Sequence, residues 1–402
     1  MQLCEEVANG LSDRGHAIAV LTSTYGSHDP ERYSYPVYRT LTIDPDWRKS
    51  QPAALQFFVG RKTRERRALA TFQKLVTDFE PDIVFVWHPI GLPWRMLRVA
   101  EGLTRAVAVF YMADYWSELH DEYIAYWQRP PASSIARRLK GILAKIALHM
   151  LASEGKPVHL DLAHAICVSD YVRRRLTDRG LLPASAVTIH NGIEIARFSP
   201  SSSVEAQSTD TLKCLVAGRL VPEKGVHTVI EALALLQDSD DIERLALTVL
   251  GSGSPSYVEM LERKVVSYNL EKIVTFLSSV PREQMPDLLR KHDVLIASAE
   301  YDEPLARMVQ EAMGCGLVVV GTTTGGSAEI LTHAVNGLTF AAGDAADLAQ
   351  QLKRLLAMSL EHRKRLAQAG IETVMASFDI EQTISQVEAY LLNLPRYAPD
   401  VE

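Results

Sequence analysis

Apolar and polar residues alternate along the first half of the chain in short blocks that predict strands separated by helices. Residues 3–16 carry apolar side chains at helical spacing and end beside Gly15, and residues 17–23 form an apolar run typical of a buried strand. The pattern also predicts a long basic helix around 54–79, a second buried strand at 81–89 and further strands at 106–112 and 164–170. Short apolar strands separated by helices indicate a parallel, doubly wound sheet.

The same alternation restarts after a polar, serine-rich stretch at 200–211, which is typical of a surface loop or linker. The sequence therefore predicts an α/β protein of two Rossmann-like domains facing each other across a cleft, with ligands outside the carboxyl ends of the strands. We place the N-terminal domain at 1–188 and the C-terminal domain at 189–378. The final helix, within 379–402, is expected to pack back on the first domain.

Composition narrows the class of protein. A chain of 402 residues exceeds the size at which one core keeps growing, so two domains are expected. A net charge of −7 argues against a nucleic-acid partner. The four cysteines form no CxxC pair, which fits buried thiols in a reducing compartment. We find neither an apolar run near the roughly 20 residues of a membrane span nor a signal peptide, and we expect a cytoplasmic protein.

Two cations follow the first strand of the second half. In VAGRLVPEKG, at 216–225, Gly218 ends the strand, and Arg219 and Lys224 stand five residues apart. A planar guanidinium and a compact ammonium at this spacing suit a pyrophosphate. A solvated loop is the alternative interpretation of the pair.

Two glutamates lie eight residues apart in EPLARMVQEAMGCG, at 303–316. We expect Pro304 at the first helical position, with the free amides of Leu305 to Arg307 at an anion-binding helix N-terminus. Eight helical residues rise roughly 12 Å, which is comparable with the distance between the hydroxyl-bearing ends of a sugar nucleotide. Glu303 and Glu311 would then hold those ends, with the phosphates between them.

Glycines mark two further turns. Gly325 and Gly326, after a strand, allow close backbone approach to a ligand or simply form a turn. The Gly-Ser-Gly at 251–253 is equally compatible with a structural turn.

DSDD, at 238–241, is similar to a metal-binding DxD motif but follows a helix, so we expect a solvated loop there and no metal site. His190 is expected to be structural.

Taken together and in order, these motifs resemble those of the retaining, GT-B-fold glycosyltransferases of family 4 (glycosyl transferases group 1). The resemblance is close over 160–380 and looser over the first half. It rests on SDYVRRRL, NGIEIARFSP, GRLVPEKG, GSGSP, EPLARMVQEAMGCG and GGSAEI. It implies metal-independent transfer of a hexosyl group from a nucleotide sugar, UDP- or GDP-linked, to a glycan, lipid or small-molecule acceptor held by the N-terminal domain.

The resemblance also assigns roles to residues. The expected donor-binding residues are Gly218, Arg219, Lys224, Glu303, Leu305, Ala306, Arg307, Glu311, Gly325 and Gly326. Arg219 and Lys224 would bind the donor phosphates, Glu311 the ribose and Glu303 the transferred sugar. The expected catalytic residues are Glu303, Arg219 and Lys224, because attack from the face that the phosphate leaves needs positioning and charge stabilisation rather than a nucleophile.

The chain departs from the family pattern in three places. Ala306 stands where a glycine is usual, which we expect to tighten the sugar pocket. Ala113 stands where a histidine near the reacting sugar often precedes Asp114. The usual first strand and its Gly-Gly loop are not recognised before the N-terminal helix, so we expect the first domain to lack that strand, with a truncated gene model as the reason.

An acceptor site is expected in the segment after Ala113, which is rich in aromatic and acidic residues. Aromatic faces stack on sugars and carboxylates accept hydrogen bonds from hydroxyls, which favours Asp114, Tyr115, Trp116 and His120; a partly buried loop is the alternative. The basic segments at 61–67 and 135–151 could touch the anionic inner face of a membrane. Solvated or core-facing helices are the preferred interpretation of these segments.

Two other functions compete with glycosyl transfer. Ala113 and the unrecognised first strand suggest a non-catalytic paralogue that binds sugar nucleotides or glycans. An NAD-dependent oxidoreductase would need GxGxxG at its first strand–helix turn and an acid about 20 residues further on. Neither half of the chain contains that pattern.

Overall fold

The computed structural model describes residues 2–23, 33–42, 57–118, 126–128, 134–154, 158–200, 211–237 and 239–395. The chain divides into two compact units. The first comprises Met1–Cys167, Arg173–Thr188 and Val387–Glu402, and the second comprises Val168–Val172 and Ile189–Gln386. Both units are built on parallel β-sheet, which confirms the predicted α/β fold.

The first unit opens with a helix whose end is set by a glycine. Helix α1 (Gln2–Asp13) buries Val7 and Leu11, and Gly15 beyond its last residue adopts a φ of 90°. Glycine takes this left-handed conformation without steric strain and commonly ends helices. The predicted helix and its stop are both confirmed.

Two separate parallel sheets follow in this unit, a pair formed by β1 and β2 and a four-stranded sheet in the order β3-β4-β5-β6. The strands are β1 (Val20–Ser23), β2 (Val37–Leu41), β3 (Ile83–Trp87), β4 (Val107–Met112), β5 (Ala165–Cys167) and β6 (Val187–Thr188). The helices are α2 (Arg61–Phe79), α3 (Trp94–Glu101), α4 (Ser134–Ser153) and α5 (Asp170–Asp178). The first residues of α5, up to Val172, belong to the second unit.

The strands of the four-stranded sheet differ in burial. β4, predicted as a strand, is buried along its whole length, whereas β3 is only half-buried. The prediction that β3 is buried is therefore wrong, because β3 lies at the edge of this sheet and pairs with one strand only among those described. The predicted basic helix is confirmed as α2, and residues 54–56 lie outside the described part of the chain.

The second unit contains a six-stranded parallel sheet in the order β12-β11-β10-β7-β8-β9. Its strands are β7 (Leu212–Ala217), β8 (Leu245–Leu250), β9 (Val274–Leu277), β10 (Val294–Ala297), β11 (Val318–Gly321) and β12 (Leu338–Thr339). The later helices are α6 (Val226–Ala234), α7 (Pro255–Ser267), α8 (Met285–Leu289), α9 (Arg307–Gly314), α10 (Ala345–Ala357), α11 (Leu360–Ser377) and α12 (Ile380–Leu392). Helix α12 crosses the boundary between the units, since Val387 and the residues after it belong to the first.

Neighbouring strands β7 and β10 define the topological switch point of this sheet. The chain continues from β7 to β8 on one side and from β10 to β11 on the other. Crossovers in opposite directions leave a crevice outside the carboxyl ends of these two strands, and ligands of open α/β sheets bind in such crevices. The core that supports the strands is closely packed, and Val229, Leu261 and Leu352 in it are fully buried.

Three of the four thiols are buried as predicted. Cys167, Cys214 and Cys315 are buried, and burial raises the pKa of Cys214 and that of Cys315 to about 12. Cys4 is only half-buried. No helix in the described part of the chain has the length and apolar character that a membrane span requires.

Candidate functional site

The loops that follow β7 and β10 are hydrogen-bonded to each other. Ser298 Oγ donates to the Lys224 carbonyl (2.8 Å), and the Glu300 amide donates to the Glu223 carbonyl (2.9 Å). Gly225 has a φ of 64° and lies so close to Ser298 that a Cβ would come within 2.0 Å of the Ser298 carbonyl oxygen. The two loops therefore carry their side chains to the same part of the crevice.

Lys224 and Glu303 meet at this point. Lys224 Nζ lies 2.5 Å from Glu303 Oε2, and the two side chains are 26% and 15% exposed. The ammonium also lies 5.1 Å from the centroid of the Tyr301 ring. Two residues predicted to face the donor are thus in direct contact, and the exposed part of Lys224 remains open to an anionic ligand.

Helix α9 begins at Arg307, so the prediction that Pro304 is the first helical residue is wrong. The Glu303 carbonyl accepts a hydrogen bond from the Gly326 amide (2.7 Å), and the Pro304 carbonyl accepts one from Ser169 Oγ (2.6 Å). Because these two carbonyls accept hydrogen bonds from residues that are distant in sequence, residues 303–306 do not form a first helical turn. Glu303 lies before the helix, and the helical spacing of roughly 12 Å does not apply.

Of the three residues whose amides were predicted at the helix N-terminus, Leu305 and Ala306 lie before the helix and Arg307 is its first residue. Ala306 is the residue before the helix, and its carbonyl accepts hydrogen bonds from the amides of Val309 (3.0 Å) and Gln310 (3.4 Å). Leu305 is buried, whereas Ala306 and Arg307 are half-buried. Contact between these amides and a donor remains a prediction.

Glu311 is buried on α9 and held by two arginines. Arg282 donates to both carboxylate oxygens, from Nη1 to Oε2 at 2.6 Å and from Nη2 to Oε1, and Arg307 Nε lies 3.3 Å from Oε1. Glu311 is only 1% exposed. A guanidinium that faces a carboxylate with two parallel bonds fixes its direction, so the orientation of the Glu311 carboxylate is set by Arg282.

Arg282 is a site residue that sequence reasoning missed. It begins a short 3₁₀ turn (Arg282–Gln284) beyond the end of β9, and its guanidinium lies 4.7 Å from the centroid of the Phe198 ring. Its position after the carboxyl end of a strand is the signal that singled out Arg219 and Lys224. That signal could have found Arg282 as well.

The backbone of another segment of the protein packs closely against Gly325 and Gly326. Gly325 has a φ of 59°, and a Cβ there would come within 2.3 Å of the Glu303 carbonyl oxygen. At Gly326 a Cβ would come within 2.0 Å of the Pro304 carbonyl oxygen. The glycine pair therefore fixes the segment that carries Glu303, and its contact with a ligand remains a prediction.

Arg219 is exposed and forms no ion pair within the described part of the chain. The loop that carries it is packed against the Gly-Ser-Gly turn at 251–253. A Cβ at Gly251 would lie 1.8 Å from the Gly218 carbonyl oxygen, and one at Gly253 would lie 1.8 Å from that of Leu220. Both glycines are required by this close backbone packing, and the role of Arg219 as a phosphate ligand remains a prediction.

A further carboxylate that sequence reasoning missed lies beside Gly225. Glu300 Oε1 accepts a hydrogen bond from Thr228 Oγ1 at 2.5 Å, and His227 Nε2 lies 3.4 Å from the same oxygen. His227 Nδ1 lies 2.9 Å from the hydroxyl of Tyr257. This network fixes Glu300 at the carboxyl end of β10. Among the described residues, no three His, Cys, Asp or Glu side chains gather closely enough to hold a metal ion.

The predicted acceptor-side residues belong to the first unit. Asp114 Oδ1 accepts a hydrogen bond from the Trp116 amide (2.8 Å), and Asp114 Oδ2 lies 2.9 Å from Nδ1 of His88. Tyr115 lies with its ring 4.2 Å from the Arg175 guanidinium. Trp116 is 3% exposed, which favours the alternative of a buried loop at that position. His120 lies outside the described residues.

His190 anchors the segment at 168–172 within the second unit through Glu329. His190 Nε2 lies 2.7 Å from Glu329 Oε2, and the Glu329 carboxylate also accepts hydrogen bonds from the amides of Asp170 (3.0 Å) and Tyr171 (2.8 Å). Burial alone would raise the pKa of Glu329. The hydrogen bonds from His190 and the two amides outweigh burial, and the pKa lies below its ordinary value.

Two family models match the chain in succession. The model described as Glycosyltransferase Family 4 matches residues 2–197, and the model described as Glycosyl transferases group 1 matches residues 201–373. Together they cover most of the chain. The chain belongs to the family 4, group 1 glycosyltransferases, which confirms the family that its motifs indicated; retention of configuration stays a prediction.

Curated relatives match over part of their length. The D-inositol 3-phosphate glycosyltransferase of Geodermatophilus obscurus is 27% identical over 233 residues, which are 55% of this chain and 50% of that protein. Spore coat protein SA of Bacillus subtilis is 26% identical over 244 residues, 56% of this chain and 64% of that protein. One phosphatidylinositol N-acetylglucosaminyltransferase subunit from Arabidopsis thaliana is 30% identical over 175 residues, 42% of this chain and 37% of that protein. The chain spans about half the length of the curated relatives it matches.

Solved structures match along nearly the whole chain. A glycosyltransferase from Rickettsia africae has a TM-score of 0.71 at 16% identity and covers 98% of this chain and 95% of its own. HepE from Anabaena, solved in complex with UDP and glucose, has a TM-score of 0.67 at 20% identity, with coverage of 98% and 95%. This likeness establishes the GT-B fold.

Proposed function

We propose that this protein transfers a hexosyl group from a nucleoside diphosphate sugar to an acceptor hydroxyl with retention of configuration and without a metal ion. The proposal rests on the meeting of Lys224 and Glu303 at the switch point of the second unit. Glu311, fixed by Arg282, supplies a second carboxylate. A cation suits a diphosphate, and two carboxylates suit the hydroxyls of a sugar and a ribose. UDP and glucose in HepE support a UDP-sugar over a GDP-sugar.

In the proposed reaction, Lys224 and Arg219 neutralise the charge that develops on the departing diphosphate. Glu303 accepts hydrogen bonds from the transferred sugar, and Glu311 accepts them from the ribose. The acceptor oxygen bonds to the anomeric carbon as the bond to the diphosphate breaks, on the same face of the sugar. A diphosphate oxygen takes the acceptor proton. The protein contributes position and charge stabilisation and supplies no nucleophile.

Two observations support a polyol acceptor presented at a membrane surface. Helix α4 has no acidic residue, and Ile142 and Ile146 on it are 61% and 49% exposed, next to exposed Lys145. Exposed apolar side chains beside lysines are typical of a helix that lies on an anionic membrane. The names of two relatives refer to inositol 3-phosphate and to phosphatidylinositol. Both of those compounds contain a polyol ring.

Thermal unfolding of the full chain with UDP-, GDP- and ADP-glucose tests the donor assignment. A donor at 100 times its dissociation constant should raise the free energy of unfolding by about 2.7 kcal/mol. Lys224→Ala and Glu311→Ala should abolish this response, whereas the exposed controls Lys272→Ala and Glu271→Ala should keep it. If both site variants respond like the parent, the donor site is wrong. A response without turnover of any donor would favour the non-catalytic binding paralogue.

Co-sedimentation with vesicles tests the membrane assignment. The full chain should bind vesicles that contain phosphatidylglycerol and should bind pure phosphatidylcholine vesicles weakly. The double variant Ile142→Ser, Ile146→Ser should lose binding, whereas Leu235→Ser, which changes a side chain 56% exposed, should keep it. Equal sedimentation of the double variant and the parent would contradict the assignment.

A further inference from the structure

His88 follows β3 in a backbone conformation that residues other than glycine seldom adopt. Its φ is 40°. Left-handed backbone at such residues persists where the surrounding structure holds it, and it is concentrated at functional sites. This conformation therefore directs attention to what surrounds the imidazole.

The register of the sheet brings His88 beside Asp114. β3 and β4 are parallel neighbours in which Trp87 lies opposite Tyr111, and the two rings stack with centroids 4.1 Å apart. His88 directly follows Trp87, and Asp114 lies just beyond the end of β4. Both residues are thus at the carboxyl ends of neighbouring strands, and His88 Nδ1 lies 2.9 Å from Asp114 Oδ2.

Asp114 determines which nitrogen of His88 can bind a ligand. When the ring is neutral, a carboxylate beside Nδ1 favours the tautomer with the proton on that nitrogen, which leaves Nε2 as a hydrogen-bond acceptor. Asp114 is itself fixed, because its Oδ1 accepts a hydrogen bond from the Trp116 amide at 2.8 Å. The His88 side chain is 50% exposed, and no hydrogen bond engages Nε2 within the part of the chain that the structure describes.

We propose that His88 is an acceptor-binding residue, whose Nε2 accepts the hydrogen bond of a polyol hydroxyl, and that Asp114 positions its ring. This inference rests on the proposed function, because it assigns the acceptor of the same reaction to the first unit. The carboxyl ends of parallel strands are where ligands of α/β sheets bind. In this tautomer Nε2 has one lone pair, which accepts a hydrogen bond from a hydroxyl.

Asp114→Asn tests the role of the carboxylate with little change of shape. The Trp116 amide needs an oxygen acceptor at the position of Oδ1, so the amide nitrogen of the new side chain would face His88 Nδ1. An N–H donor at that place moves the ring proton to Nε2 and removes the acceptor. Two-bond proton–nitrogen correlations of ¹⁵N-histidine should report a proton on Nδ1 in the parent and on Nε2 in this variant. A parent ring with its proton on Nε2 would overturn the proposal.

Kinetics with UDP-glucose as donor and myo-inositol or octyl β-D-glucoside as acceptor test the binding itself. Asp114→Asn and His88→Phe should raise the acceptor KM at least tenfold with little change in UDP affinity. His88→Gln, which keeps a hydrogen-bond acceptor, should recover part of the loss, and the exposed control His362→Phe should match the parent.

The outcomes separate this inference from the function on which it depends. An unchanged acceptor KM in the two variants, with UDP binding intact, would overturn the acceptor assignment alone. Transfer to neither probe by the parent would also count against it. Absence of any nucleotide binding by the parent would overturn the proposed function and this inference with it.

Discussion

Lys224 Nζ lies 2.5 Å from Glu303 Oε2, so the cation expected to bind the donor phosphates is already paired with the carboxylate expected to bind the sugar. A diphosphate must compete with Glu303 for the ammonium. Exposed ion pairs contribute about 0–1 kcal/mol, and we expect a diphosphate to displace this partly shielded pair. The pair holds the Lys224 side chain in the crevice, where we expect the donor to bind.

Replacement of Glu303 by glutamine should separate UDP binding from sugar binding. Without the competing carboxylate, UDP should bind about two- to fivefold more tightly, as expected for loss of about 0.5–1 kcal/mol of competing attraction. The affinity for UDP-glucose should no longer exceed that for UDP, because the sugar hydroxyls lose the Glu303 carboxylate as their hydrogen-bond acceptor. Isothermal titration of the parent, Glu303→Gln and the exposed control Glu283→Gln measures both affinities. Weaker binding of UDP to Glu303→Gln would contradict this interpretation.

The paired hydrogen bonds from the Arg282 guanidinium to Glu311, called here the Arg282 fork, should be required for donor affinity because they orient the Glu311 carboxylate. Arg282→Met removes two bonds to a carboxylate that is 1% exposed. Hydrogen bonds to charged groups contribute about 1.5–3 kcal/mol, so UDP affinity should fall at least about tenfold. Arg282→Lys should not restore it, because an ammonium lacks the planar fork. UDP titration should give parent-like affinity for the exposed control Arg263→Met, and parent-like affinity in Arg282→Lys would refute the role of the fork.

Gly326→Ala should displace the segment that carries Glu303. The added Cβ would lie 2.0 Å from the Pro304 carbonyl oxygen, which requires the backbone to move. We expect a lower melting temperature and loss of the thermal response to UDP-glucose. Gly141→Ala is the matched control, because nothing lies within 4 Å of its Cβ and it is inside a helix. That change should stabilise the protein by about 0.5–1 kcal/mol, and a parent-like response in Gly326→Ala would show that the close approach is not needed.

The strands of the second unit and the residues at their carboxyl ends could be predicted from local pattern. The apolar runs of β7 and β10 mark where each strand ends, and Lys224 and Glu303 follow those ends. The start of α9 could not be predicted in this way. It depends on a bond from Ser169 to the Pro304 carbonyl, between residues 135 positions apart. No local rule for helix N-termini contains that information.

Which site residues contact each other could not be predicted from the sequence either. Arg282 meets Glu311 because strands β9 and β10 and helix α9 bring them together, although 29 positions separate them. His88 meets Asp114 because Trp87 lies opposite Tyr111 in the register of β3 and β4. Residue types and strand ends were visible in the sequence, whereas the order and register of the strands determine which side chains touch.

Glu329 should make the stability of the second unit depend on acid pH. Its pKa in the folded protein is below the ordinary value of 4.5. A carboxyl with a lowered folded pKa contributes stability above its unfolded pKa, and this contribution is lost as the pH falls through the folded pKa. Urea unfolding between about pH 6 and pH 3 should therefore give a flatter acid limb for Glu329→Gln than for the parent. The exposed control Glu262→Gln should retain the parent's slope, and an identical slope for Glu329→Gln would contradict the role of this network.

A crystal structure of the full chain with UDP-glucose tests most directly whether the second unit holds a nucleotide sugar by these residues. We expect the diphosphate within hydrogen-bonding distance of Lys224 Nζ, the ribose hydroxyls on Glu311 and the glucose hydroxyls on Glu303, with the Lys224–Glu303 contact lengthened. A nucleotide bound elsewhere, or bound in this crevice with none of these three side chains in contact, would contradict the account.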